Sequence, residues 1–92
     1  MFFRRLVDVA VTQQDDGELV FMKYLISGND LDGYSAWSEK YFVRGGDAIF
    51  GERAETAKYD MDKALKLAEI FVKGCVFPSA QEDIEKDVLF LG

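Results

Sequence analysis

The chain contains no histidine, one cysteine (Cys75) and one proline (Pro78). Without histidine there is no imidazole to serve as a general base or to complete a nucleophilic triad. Zinc sites built on cysteine and histidine are excluded for the same reason. A single thiol closes no internal disulfide, so a secreted disulfide scaffold is excluded. The expected place for Cys75 is that of a small buried hydrophobe. No apolar run approaches 18 residues, the length that would signal a spanning helix. The opening MFFRRLVDVAV is broken by Arg4, Arg5 and Asp8 and lacks the apolar core of a signal peptide. The expectation is a cytoplasmic protein with no membrane contact and no cofactor.

What is present fits one domain, residues 1–92. The sequence is 49% hydrophobic and 14% aromatic, enough apolar material for a single core. Seventeen acids against eleven bases leave a net charge of −6. That balance argues against general nucleic-acid affinity, which rests on Lys and Arg neutralising phosphates. It suits a solvated surface, or docking on a basic partner.

Hydrophobic periodicity places the elements. Residues 2–12 read as a strand, with Phe3, Val7, Val9 and Val11 on one face and Arg4, Asp8 and Thr12 on the other. Asp16-Gly17 signals a hairpin. Residues 18–27 read as a second strand, with Val20, Met22, Tyr24 and Ile26 opposite Leu19, Phe21, Lys23 and Leu25. Being apolar on both faces, it is expected at the centre of the sheet. Residues 34–44 read as a third strand, with Trp37, Tyr41 and Val43 opposite Ser38, Lys40 and Arg44. Residues 45–51 read as a connection. Residues 52–73 carry an amphipathic helical stripe of Ala57, Met61, Ala64, Leu65, Ala68, Phe71 and Val72. Gly74 is the expected left-handed terminator. Ser79 is read as the cap of a short helical turn over 80–86, and residues 87–92 as a fourth strand or an apolar tail. The predicted fold is therefore α+β: a three-stranded antiparallel meander packed against one long helix, with a short C-terminal element. The helix is expected to cover Val7, Val9, Met22, Tyr24 and Trp37.

The nearest approach to a chemical motif is GNDLDGYSAWSE, residues 28–39. Asp30, Asp32, Gly33 and Glu39 match the third, fifth, sixth and twelfth places of an EF-hand loop. The first place, however, is Gly28 rather than an acid, and the flanks read as strands rather than helices. In an extended strand Glu39 stands roughly 20 Å from Gly33. A hairpin loop bent by Asn29 and Asp32 fits better. GGDAIFG, residues 45–51, is not a phosphate loop, because Glu52 and Arg53 stand where Lys and Ser or Thr are required. The acidic groups Asp15, Asp16, Glu18 and Glu82, Asp83, Glu85, Asp87 read as solvated surface or as docking points for a basic partner.

One helix covers one face of a sheet. The opposite face, with Phe2, Leu6, Leu19, Phe21, Leu25 and Phe42, is then left for the C-terminal tail or for a partner. The candidate partner-binding residues are Arg4, Arg5, Phe21, Lys23, Leu25, Lys40, Phe42 and Arg44, an apolar centre rimmed by cations. No catalytic set accompanies them, and the expectation is a non-enzymatic interaction protein. In length, acidity and meander-plus-helix layout the chain resembles the phage-encoded anti-CRISPR inhibitors. The resemblance covers the whole chain at the level of architecture, with no shared motif. It implies a protein partner, a CRISPR ribonucleoprotein complex in the host cytoplasm, with the inhibitor blocking nucleic-acid access or contacting the guide RNA. Two alternatives stay open. One is a homodimeric structural or adaptor subunit. The other is a small nucleic-acid-binding module using Arg4, Arg5, Lys40 and Arg44.

Overall fold

The computed structural model describes residues 3–91. Strands β1 (Phe3–Gln13), β2 (Leu19–Asn29), β3 (Gly33–Arg44) and β4 (Asp47–Glu55) precede helices α1 (Met61–Gly74) and α2 (Pro78–Leu91). The strands form one antiparallel sheet in the order β1-β2-β3-β4. Both helices contact the sheet, α1 mainly through β2 and β3 and α2 mainly through β4. The α+β class and the antiparallel meander are as the periodicity predicts, but the described residues form four strands and two helices. The Phe2 placement lies outside the described residues.

The fourth strand replaces the predicted connection at 45–51. Gly45 and Gly46 have φ of 58° and 85° between the paired residues Arg44 and Asp47. Two successive positive φ values make the two-residue turn whose twist matches a hairpin, and glycine enters it without strain. Residues 47–55 then pair along β3, so the helix starts nine residues later than its stripe predicts. Ala57 lies before it. Cross-strand hydrogen bonds outweigh the weak helical preference of 52–55, a tertiary override. The start is set by Asp60, whose side chain accepts from the Lys63 N–H at 2.8 Å.

The stripe of α1 is rotated relative to expectation. Ala64, Leu67, Ala68 and Phe71 are buried, whereas Leu65 is half-buried and Leu67 takes the central place. They pack on Met22, Tyr24, Ile26, Tyr34 and Ala36. The left-handed residue at the end of α1 is Cys75 (φ 48°, ψ 48°), not Gly74. The N–H groups of Cys75 and Val76 bond the carbonyls of Val72 and Phe71 at 3.2 and 3.0 Å, the paired closure of a Schellman end. The tail is neither strand nor loose segment. Pro78 opens α2, where its missing N–H costs nothing, and Ser79 lies inside the helix rather than capping it. Ile84 and Val88, four apart, lean on the core.

Two buried polar contacts fix α2. Ser38 on β3 donates to Gln81, both almost fully buried. The Glu85 carboxylate, 9% exposed, accepts from the Tyr59 hydroxyl at 2.5 Å and from the Ala57 N–H at 3.0 Å. Deeper in, the Tyr24 hydroxyl donates to the Val76 carbonyl at 3.1 Å. Burial, then the neighbouring Cys75, pushes this phenol well above its ordinary range.

Candidate functional site

Side chains alternate across a strand, so the register fixes which residues share the face that the helices leave open. Met22, Tyr24 and Ile26 of β2 face the helices, which sends Leu19, Phe21, Lys23, Leu25 and Ser27 to the other side. On β1 a bulge between Leu6 and Asp8 inserts Val7 as an extra residue. The inserted residue keeps Val7 against the core and turns Val9 and Val11 to the open face with Arg4 and Leu6. The predicted placement of Val9 under the helix is thereby corrected. So is that of Trp37, which opposes Leu25 on the open face.

Rows of this face cross all four strands. Val11, Phe21, Tyr41 and Phe50 are successive register partners. Their rings touch: Phe21 and Tyr41 lie 6.0 Å apart at 51°, Tyr41 and Phe50 5.8 Å apart at 75°. Edge and tilted geometry of this kind suits the ring quadrupoles. The next row is Val9, Lys23, Glu39 and Arg53. The third is Leu6, Leu25, Trp37 and Glu55.

Glu39 sits at the centre with its side chain only 6% exposed. The Tyr41 hydroxyl donates to its Oε1 at 3.1 Å. Arg4 and Arg53 approach its Oε2 to 3.9 and 4.0 Å, beyond direct hydrogen bonding, and their side chains are 61% and 58% exposed. The sunken carboxylate is thus balanced by two guanidiniums that stand in water above it, which meets the requirement that buried charge be compensated. Burial and the Glu39 charge raise the Tyr41 phenol, against a lowering pull from both arginines. The Trp37 Nε1–H donates to Ser27 Oγ at 2.6 Å, which fixes the indole. Arg53 lies over the Trp37 ring at 5.7 Å and the Phe50 ring at 6.0 Å. Arg4, Leu25, Ser27, Trp37, Glu39 and Arg53 enclose a shallow cavity of about 70 Å³.

Of the residues singled out from the sequence, Arg4, Phe21, Lys23 and Leu25 come together here. Lys40, Phe42 and Arg44 do not. Lys40 opposes Met22 on the helix side, lies 5.0 Å over both Phe42 and Phe77, and donates to Gln14 at 3.0 Å. Arg44 lies over the Phe42 ring at 5.3 Å and pairs with Glu18 at 2.6 Å. Arg5 opposes the core residue Ile26 and so points away from the open face. The placement of Phe42 among the open-face residues is corrected likewise. Sequence reasoning missed Glu39, Phe50 and Arg53 as members of the face. Recognising Gly45-Gly46 as a hairpin turn would have supplied β4 and hence Phe50 and Arg53.

The EF-hand-like loop is a hairpin turn. Asn29 Oδ1 accepts from the Leu31 and Asp32 N–H groups at 2.9 and 2.7 Å, and Asp30 takes the Tyr34 hydroxyl at 2.6 Å. Glu39 is carried away from it into the sheet. Among the described residues no three His, Cys, Asp or Glu side chains stand together as a metal site requires, and no helix is long and apolar enough to cross a membrane. A second, wider groove of about 470 Å³ runs between β4 and α2, bordered by Glu55, Tyr59, Glu82 and Glu85. No family model, curated protein or solved structure matches the chain.

Proposed function

We propose that this chain is a non-enzymatic interaction protein that binds a protein partner through the open face of its sheet. One observation carries the reading. Leu6, Val9, Val11, Leu19 and Phe50 are 44–65% exposed on the same uncovered face, beside the Phe21–Tyr41–Phe50 ring row. Large contiguous apolar surface of this kind marks an interface far more often than it marks an ordinary solvated face. The apolar row flanked by Arg4, Lys23 and Arg53 has the aromatic and arginine content enriched in interface cores.

The test is capture from a bacterial lysate with three baits: the parent chain, Leu6→Ser/Phe50→Ser on the open face, and Lys66→Glu on exposed α1. A partner held by the parent and by Lys66→Glu, and lost by the open-face variant, is the expected outcome. Equal capture by all three baits rules the face out. Mass measured against concentration separates the homodimer alternative, since self-association through this face depends on the same two substitutions.

A narrower form of the proposal is an inhibitor of the anti-CRISPR type, to which the chain is similar in length and acidity, seated where a CRISPR effector holds nucleic acid. Its support is the excess of acids over bases outside the open face, because such channels are lined with positive charge and that acidic remainder, not the open face, would meet them. Unchanged target cleavage by purified effectors at saturating inhibitor removes this form and leaves the broader reading to the lysate test.

A further inference from the structure

Resting on the reading of the open face as a docking surface, we propose that the cleft between Arg4 and Arg53 receives an acidic side chain of the partner. The chain as a whole carries −6, yet its open face holds three cations, Arg4, Lys23 and Arg53, against two carboxylates, Glu39 and Glu55. Glu55 already accepts from the Ser35 hydroxyl at 2.6 Å. The charge of this face is therefore opposite to that of the rest of the molecule, and complementary charge is what selects partners and register at an interface.

The two arginines are held yet unspent. Each guanidinium has five N–H donors. The one carboxylate they share lies 3.9 and 4.0 Å from them, their side chains are 61% and 58% exposed, and neither donates a hydrogen bond among the described residues. Glu39 anchors both from below, and its own exposure is too small for it to meet a partner directly. Arg53 is further fixed over Trp37 and Phe50. Contact with a ring leaves a guanidinium's N–H donors unused, and their fork matches a carboxylate with two parallel hydrogen bonds. The walls beside the cleft are Leu25, Trp37 and the ring row. The fitting occupant is a protein segment in which Asp or Glu stands among apolar residues. A phosphate would meet the same guanidiniums, but a nucleic acid would bring many more charges against an acidic molecule. The observations favour the protein.

Fluorescence anisotropy on the full chain tests this with three labelled probes: a leucine–glutamate alternating dodecapeptide, its leucine–lysine counterpart, and oligouridine. The acidic peptide should bind at least about tenfold tighter than either other probe. Arg4→Lys/Arg53→Lys keeps the charge above Glu39 and loses the forked donors, so it should weaken the acidic peptide at least about tenfold with an unchanged circular dichroism spectrum. Lys66→Gln should not change it. Equal or tighter binding of the lysine peptide, abolished by Leu6→Ser/Phe50→Ser, overturns the acidic preference and leaves the docking face standing. Tighter binding of oligouridine overturns both. Absence of binding by every probe at about 1 mM also overturns both.

Discussion

Leu67→Ala, set beside Leu65→Ala, tests how α1 is rotated on the sheet. Leu67 has no exposed surface and lies with Ala64, Ala68 and Phe71 against Met22, Tyr24 and Ile26. The substitution removes three carbon groups, and at about 0.8 kcal/mol each the transfer loss is about 2.4 kcal/mol. The unfilled space raises the total to about 3–4 kcal/mol, because a packed core closes only in part. Leu65 stands about 200° around the helix from Leu67 and is half-buried, so its truncation should cost only about 1–2 kcal/mol. A chain of 92 residues has about 5–14 kcal/mol in all. Leu67→Ala should therefore lower Tm by about 15–20 °C, and Leu65→Ala by about 5–10 °C. Urea unfolding followed by circular dichroism gives the ranking directly, provided that both variants keep the parental slope. Equal shifts, or a larger one for Leu65→Ala, would refute the rotation and with it the identity of the covered face.

Two further outcomes follow from the hydrogen bonds and the turns. The Tyr59 phenol is pushed up to about 12 by burial and by its bond to Glu85, so the folded chain keeps a proton that the unfolded chain loses near pH 10. The stabilisation is complete below about pH 10 and is lost as pH rises toward about 12. Urea midpoints of Tyr59→Phe should fall less steeply over that window than those of the parent, and parallel curves would disprove the linkage. At Gly28 (φ 149°) an added Cβ would lie 2.2 Å from the Gly33 carbonyl oxygen and 2.7 Å from Tyr34 Cα, both backbone atoms. Gly28→Ala should cost more than about 1 kcal/mol in thermal unfolding, and an unchanged Tm would contradict the close approach.

The sequence revealed β2 as a central strand because seven of the eight residues from Leu19 to Ile26 are apolar, which fills both faces of a strand. It also revealed the hairpin at 29–33, where Asn29 bends the backbone with its own side chain. It misplaced Val9 because a bulge adds one residue without any mark in composition. The start of α1 was read too early because Ala57 and Met61 fall on a helical spacing by coincidence, while the pairing with β3 is a non-local decision. Lys40, Phe42 and Arg44 were grouped with Phe21 as if one basic patch spanned the strands. Parity along β3 separates them, since Phe42 opposes Val20 and Tyr41 opposes Phe21. Glu39 matches the twelfth place of a calcium loop that Gly28 and the strand flanks already exclude, and its place between two arginines depends on β1 and β4 lying on opposite sides of the β2–β3 pair. That order was not legible without the fourth strand.

The order of elements also has a consequence in time. All four strands precede both helices, and each strand pairs only with its neighbour in the chain. During synthesis the meander is complete once Glu55 has emerged, whereas Leu67 and Phe71 follow later. At about 5–20 residues per second, the 19 residues from Glu55 to Gly74 take roughly 1–4 s. Through that interval Met22, Tyr24 and Ile26 lie as bare on one side as Leu6, Val9 and Phe50 do on the other. The nascent sheet then has two sticky sides and two free edges, β1 and β4, at the stage when unpaired strands most readily find the wrong neighbour. The docking of α1 closes one of those sides for good, and the mature molecule keeps only the other.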